Sequence, residues 1–574
     1  MKIQYIKINN YRNLDGSEVF FHEISNYIIG ENNIGKSNML LLLETVFNGK
    51  SFDEADFEDT ACPIEITIKL KLSDEEIGFF GDLFSPDDSQ IISILYLQEL
   101  DSLYPTIIHL ESGETISKKQ IKKLHYFKYN STSSPEKELK ISSKRGIGSL
   151  VSHIIEKYTD DKDVSNLLNQ DFMNGLEVYL NDHLGKIKSF KDYKIQAAYS
   201  DTENNILTKL LYLSDGERNI EATGSGVQYI TMATVNLLSQ IMSLYNGKSI
   251  PFYEHLYTDK EGKAILPVVL AIDEPEVHLH PFLQRALINY YKKVLTNEDP
   301  DFLELLKKCF NIDGLDGQLI VVTHSTDALV DDYRNLIRFY KCDNQTMVVC
   351  GSQLNIQTEH EKHLLLHFPE IKEAFYSKCA ILVEGATEYG CVSDFAKTLG
   401  YLLDDYGISV INAQGEKTIE PLRKLFSDFG INSIVIYDND VKQGQVPAPY
   451  EFFTSELCYE IEIVKHLYNI GRTDVVISIV DEYDENARAE IIQDKYLTKP
   501  LEKFGYDFSD GIPRKLSDVD TNNKDNFCCI YAAWLYKKKN ILIGRIIGQT
   551  LTAEQIPTCY VDAIKKAVEV ASNA

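Results

Sequence analysis

The octapeptide Gly30-Glu31-Asn32-Asn33-Ile34-Gly35-Lys36-Ser37 constrains this chain more than any other stretch. It follows an apolar run, Tyr27 to Ile29, and opens a helix-like run, Ser37 to Phe47, so a strand, a tight loop and a helix are predicted in that order. Glycines let the loop wrap with its N–H groups pointing inward, and the positive end of the following helix adds to the attraction for a polyphosphate. A phosphate cradle is the expectation. Gly30, Asn33 and Gly35 shape it, Lys36 reaches the β- and γ-phosphates, and Ser37 is the expected Mg²⁺ ligand.

Such a loop needs a second strand that delivers carboxylates, and Val268-Val269-Leu270-Ala271-Ile272-Asp273-Glu274 has that form. Asp273 is expected to hold the Mg²⁺ water shell, and Glu274 to orient or deprotonate the attacking water. His278 and His280 follow in EPEVHLHP, where alternation in a loop reads better as packing or dimer contact than as metal ligation. A third apolar strand, Leu319 to Val322, runs into Thr323-His324-Ser325, and a histidine at that edge can touch a γ-phosphate. In this order, the three motifs resemble the ABC-type ATPases of repair and chromosome maintenance, with His324 as the switch histidine.

That resemblance implies a signature loop that closes on the nucleotide of an opposite subunit, hence a homodimer or higher homo-oligomer. Leu213-Ser214-Asp215-Gly216-Glu217 is closer by letter, but Gly224 interrupts any helix behind it. Gly224-Ser225-Gly226-Val227-Gln228 runs straight into an apolar helical stripe that includes Ala233, Leu237 and Ile241, so Ser225 and Gly226 are the preferred candidates. For the glutamine loop, Gln90 and Gln98 are the candidates, with nothing to choose between them.

A second βα series begins near Cys379. Ala380-Ile381-Leu382-Val383-Glu384-Gly385-Ala386-Thr387-Glu388 ends an apolar strand on an acid, and Ile434-Val435-Ile436-Tyr437-Asp438-Asn439-Asp440 does the same 54 residues further on. Asp438 and Asp440 stand at i and i+2 of that strand, so their side chains are expected to share one face, and with Glu384 on the neighbouring strand at least three carboxylates converge. Three carboxylates in one small volume repel unless protonated or bridged by divalent cations, and hard oxygens favour Mg²⁺ or Mn²⁺. This ordered pair resembles the Toprim domain, in which the first Glu and the aspartate pair hold metal ions for phosphodiester chemistry.

An ABC-type ATPase followed by a Toprim domain resembles the OLD (overcoming lysogenisation defect) nucleases, and among them the nuclease subunits of Gabija anti-phage systems. The resemblance implies an α/β fold throughout: an ABC-type ATPase domain over 1–345 with a helical insertion at about 148–205, a candidate dimerisation element; a connector over 346–375; and a C-terminal Toprim domain over 376–574. It implies a nucleotide-regulated DNA endonuclease using ATP and two divalent ions, with a UvrD-like helicase as a partner protein. Carried over by position, Glu384, Glu388, Asp438, Asp440 and Glu460 are the metal-binding and catalytic acids, and Lys539 is the late lysine that stabilises the cleaved phosphate. Cys458 stands where the family often has an aspartate, so Glu456 or Glu462 is a substitute candidate. That cysteine leaves room for an ATP-driven repair-type clamp with an inactive Toprim domain. The 34 tyrosines leave room for a topoisomerase-like nucleophile.

Charge then sets a problem. With 58 basic and 86 acidic residues the net charge is −28, which repels a nucleic-acid backbone at long range. DNA contact therefore needs bound cations or local basic strips, such as Lys118 to Lys123 and Lys537 to Lys539. The clean apolar stretch Ala264 to Ile272 contains Pro267 and falls far short of the ~20 residues that cross a bilayer, so no membrane partner is expected. Ten scattered cysteines without a C-x-x-C pair suit reduced thiols in a cytoplasm.

Overall fold

The computed structural model describes residues 1–130, 138–140, 146–159, 170–187, 195–199, 211–214, 225–248, 250–277, 279–342, 345–440, 448–492 and 494–573. The chain divides into two compact units, Met1–Leu354 and Asn355–Ala574. Among the described residues no helix is long and apolar enough to cross a membrane.

In the first unit, strict alternation builds an antiparallel sheet. Ile64, Ile66, Ile68 and Leu70 of the Ile64–Lys71 strand are buried while Glu65, Thr67, Lys69 and Lys71 face outward. The sheet order is Glu18–Phe20, Lys2–Asn9, Ile64–Lys71, Ile91–Gln98, Thr106–His109. A second, largely parallel sheet places Ser25–Gly30 between Gly314–Val322 and Leu336–Cys342, with Ala264–Asp273 beyond Gly314–Val322. The Lys36–Phe47 helix follows Ser25–Gly30, and its Met39, Leu40, Leu42, Leu43 and Val46 belong to one apolar core with both sheets. Apolar runs buried on both faces are what a covered parallel strand requires.

Pro267 sits inside a ten-residue strand, where a missing N–H should break the ladder. The strand solves this by changing partner at that point. On one edge, Ile265 and Ala264 pair with Tyr257–Thr258, and the His125–Asn130 strand takes over from Val268 onward. Pro267 falls in the gap between them.

The expected helical insertion contains helices at Gly146–Thr159 and Gln170–Leu184, then a Gln196–Tyr199 strand antiparallel to Leu211–Ser214. This antiparallel strand pair was not expected. The stretch read as a connector holds the Gln345–Cys350 strand, paired with Leu336–Cys342 in the first unit, and the Thr358–Ile371 helix of the second.

The second unit is built on four parallel strands in the order Ile408–Asn412, Cys379–Val383, Asn432–Tyr437, Glu451–Phe453. Their register aligns Val383 with Asn412 on one side and Ile436 on the other, so the carboxyl ends of the strands finish together. The Ala386–Thr398 helix, which starts beside that edge, crosses the Ile541–Thr550 helix at glycines. A Cβ on Gly544 would lie 2.0 Å from the Thr387 carbonyl oxygen, and one on Gly390 would lie 2.5 Å from that of Ile541. Backbone meets backbone there, and nothing flexible can yield.

Gly544→Ala should therefore force the two helices apart at a cost of about 1–3 kcal/mol. Trp534, the only tryptophan of the chain, is buried in the second unit, so its fluorescence during urea unfolding reads that unit alone. A lowered midpoint is the expected outcome.

Candidate functional site

Two sites emerge, one in each unit. In the first, Asn32, Asn33, Gly35, Lys36, Ser37, Asn38, Glu274 and His324 line a cleft of about 490 Å³. The loop takes left-handed backbone at Asn33 (φ 60°) and Gly35 (φ 110°), which lets it wrap before the helix begins at Lys36. Gly30 is required for a second reason: a Cβ there would lie 2.1 Å from the Phe339 carbonyl oxygen of the neighbouring strand. Lys36 is buried and donates to the carbonyls of Gly30 (2.8 Å) and Glu31 (2.5 Å). Burial lowers its pKa to about 8, against the pull of Glu274, Glu276 and Asp273.

Asp273 ends its strand, raised in pKa by burial and opposed by Lys128 at 3.8 Å. Glu274 has φ 51°, a strained value for a non-glycine, and its N–H donates to the Val322 carbonyl at 2.9 Å. The kink lets Glu274 line the cleft. Sequence reading overlooked Glu276, which accepts from the Thr323 hydroxyl at 2.7 Å and from the His324 N–H at 2.5 Å, and so fixes the loop carrying His324. Burial, then Lys36, lowers the pKa of His324 and favours the neutral ring. The helix predicted behind the signature candidate begins at Ser225 and runs to Tyr245. Gly224, Asp215 to Glu217 and His278 lie outside the described residues. Gln98 bonds both backbone groups of Phe52, and Gln90 donates to Asp74, so each is engaged away from the phosphate loop.

The second site forms at the carboxyl edge of the parallel strands. Glu384 follows its strand directly and accepts the Asp438 N–H at 3.0 Å. Asp438 in turn accepts the Tyr459 N–H at 2.9 Å, at the positive start of the Tyr459–Asn469 helix. Glu388 and Glu460 are buried in the first turns of two helices. Gly385 leaves room beside them: a Cβ there would lie 2.9 Å from Glu388 Oε2 and displace that carboxylate. Gly415 closes the floor: with φ 130° it donates its N–H to the Glu384 carbonyl at 2.9 Å.

These side chains perturb one another's ionisation. Burial, then Glu460, raises the pKa of Glu388. Burial, then Glu388, Glu384 and Glu460, raises that of Asp438. Glu384 is pushed up to about 7, mainly by burial, despite the Asp438 N–H. Burial alone would lower Lys539, yet Glu460, Tyr536 and Glu388 raise it, so its ammonium faces the acids.

One expectation is corrected. The strand stops at Tyr437, so Asp438 and Asp440 do not share a strand face. The chain turns because Asn439 is held by the Thr454 hydroxyl (3.0 Å) and the Asp440 N–H by the Leu457 carbonyl (3.3 Å). Asp440 then pairs with Lys503 at 2.9 Å, a partner the sequence did not suggest. Of the substitutes for Cys458, Glu456 pairs with Lys465 at 2.6 Å, and Glu462 accepts the Glu456 N–H at 2.7 Å. Cys458 itself is buried, with its thiol 3.3 Å from Glu460 Oε2.

These acids converge without chelating. Among the described residues no three His, Cys, Asp or Glu side chains are spaced to hold a metal ion as they stand. Their chemistry nevertheless fits a divalent cation: hard oxygens, buried together, with raised proton affinity. In the basic strips, Lys119 pairs with Glu254, and Lys118 and Lys123 lie over Tyr104 and Phe79. Lys537, Lys538 and Lys539 lie over Tyr496, Trp534 and Tyr536.

Comparison with known proteins gives two family matches. The AAA ATPase domain model matches residues 1–144 and 99–328, and the model for the TOPRIM domain of overcoming-lysogenization-defect-like proteins matches 375–440. The Old nuclease of Escherichia phage P2 is 20% identical over 517 residues, covering 80% of each chain. Among solved structures, an Smc head bound to the C-winged helix domain of ScpA is 14% identical, covers 61% of this chain and 98% of its own, and has a TM-score of 0.34. The C-terminal region of the Burkholderia pseudomallei OLD protein is 17% identical, covers 34% and 99%, and has a TM-score of 0.23.

The raised pKa of Glu384 has a direct consequence for stability. Its contribution is full below the ordinary carboxylate value of 4.5 and is lost as pH rises through about 7, because the unfolded chain gives up the proton first. Glu384→Gln removes that loss. In chelator, the advantage of the variant over the parent, read from Trp534 fluorescence during unfolding, should widen from about pH 5 to about pH 8.

Proposed function

We propose, from the premise that this chain belongs to the AAA ATPase domain family and carries an OLD-like TOPRIM domain, that it is a nucleotide-regulated, divalent-cation-dependent DNA endonuclease. Its role, by likeness to the Gabija nuclease subunits, is anti-phage defence. The reading is carried by one observation: Glu384, Glu388, Asp438 and Glu460 gather with Lys539 at the carboxyl edge of a parallel sheet. The P2 relative bears the name of a nuclease, which supports the same chemistry here.

Glu384, Glu388, Asp438, Asp440 and Glu460 would hold the Mg²⁺ or Mn²⁺ ions, with side-chain rotation bringing the oxygens onto them. Bound divalent ions supply an activated water and stabilise the departing oxygen of the phosphodiester. Lys539 holds a positive charge beside the reacting phosphate. Cations also resolve the conflict between a net charge of −28 and a DNA substrate, because they reverse the field locally.

In the first unit Lys36 and Ser37 meet the phosphates of ATP, Asp273 the cation's water shell, and Glu274 the attacking water. His324 faces the γ-phosphate. Ser225 and Gly226 serve as the signature that reaches a second copy's nucleotide, so ATP assembles a homodimer and restrains cutting.

Plasmid cleavage with and without ATP, in Mg²⁺ and then Mn²⁺, tests this. Glu384→Ala and Asp438→Ala should each reduce cutting by at least ~10²-fold while ATP binding persists. Lys36→Ala should lose ATP binding and cut without ATP inhibition. Cleavage that survives Glu384→Ala would refute the assignment of the nuclease centre.

A further inference from the structure

Asp440 carries a cation of the chain's own. Lys503, at the end of the Asp494–Lys503 helix, places Nζ 2.9 Å from Asp440 Oδ2, and the two side chains keep 32% and 37% of their surface exposed. The same ammonium lies 5.0 Å from the centroid of the Tyr536 ring. Lys539 stands over that ring too, at 4.3 Å. One aromatic ring therefore locates two ammonium groups, Lys539 toward Glu460 and Glu388, and Lys503 toward Asp440. An aromatic face attracts an ammonium without neutralising it, so each lysine stays charged at a fixed place.

We propose that Lys503 is a positioning residue, a built-in counter-ion that occupies Asp440 until a divalent cation displaces it. This rests on the reading of the second-unit acids as cation ligands. Lys503 sits against one oxygen of Asp440, and a divalent ion bound there would stand beside the ammonium, like charge against like. Entry of the ion at Asp440 is therefore opposed by the ammonium and weakens the pair. The ion pair thus competes with the metal and lowers its apparent affinity, in the way that any interaction specific to the unliganded state does.

The test is Mn²⁺ titration of the full chain by calorimetry, without nucleotide or DNA, with Glu384→Gln identifying the heat that belongs to the second unit. Lys503→Met, with Lys503→Gln as a second variant, should bind Mn²⁺ about two- to fivefold tighter, the range for a half-exposed ion pair. Lys503→Arg should behave like the parent. Adding Asp440→Asn to Lys503→Met should abolish the gain. Unchanged or weaker affinity in both neutral variants overturns the inference, as does a gain that survives Asp440→Asn. If the parent shows Glu384-dependent binding but the lysine variants do not differ from it, only the counter-ion role falls. If the parent shows no Glu384-dependent binding, the ligand reading falls and takes this inference with it.

Discussion

Carboxylates brought together out of water repel one another, and the second unit is arranged around containing that repulsion. Three devices share the task. Helix amino termini and backbone N–H groups, such as that of Tyr459 on Asp438, offer partial positive charge. Protons are held more tightly than usual by Glu384, Glu388 and Asp438. Two lysines share the Tyr536 ring and face the acids from one side. Remove any of these and the remaining charges have less to balance them.

The first unit applies the same electrostatics with the sign reversed. Lys36 is a buried ammonium whose proton is loosened by burial and retained through Glu274, Glu276 and Asp273. Its ammonium is held by the loop's own carbonyls, those of Gly30 and Glu31. The strained backbone at Glu274 is supported by its N–H bond to Val322, which ties the acidic strand end to the strand before His324.

What could be read from the letters was local in sequence. Apolar runs ending in Glu384, Asp438 and Asp273 announced strands that deliver acids, and the Gly30 to Ser37 loop announced its own geometry, because glycine spacing and helix onset are set by neighbouring residues. The turn at Asp438 was not legible, since it depends on Thr454 reaching back to Asn439 from a later strand end. Nor was Lys503, which reaches Asp440 from a distant helix otherwise indistinguishable from a solvated one. Glu276 was passed over because nothing in EPEVHLHP says which acid will clamp the Thr323-His324 loop. The place of Pro267 inside a strand is explained by the change of edge partner, which pairs residues far apart in the chain.

The glycine crossing between Ala386–Thr398 and Ile541–Thr550 has a reach beyond packing. Glu388 rides on a helix whose seat is formed by residues more than 150 positions downstream, after every acid of the cluster has already been specified. The cluster's acids precede their support in the chain, so the position of Glu388 depends on a contact of long sequence separation, one that forms only after the intervening residues have folded back. A chain lacking the Ile541–Thr550 helix would keep every acid and the sheet that carries them, yet leave the Glu388 helix without the backbone surface it rests on.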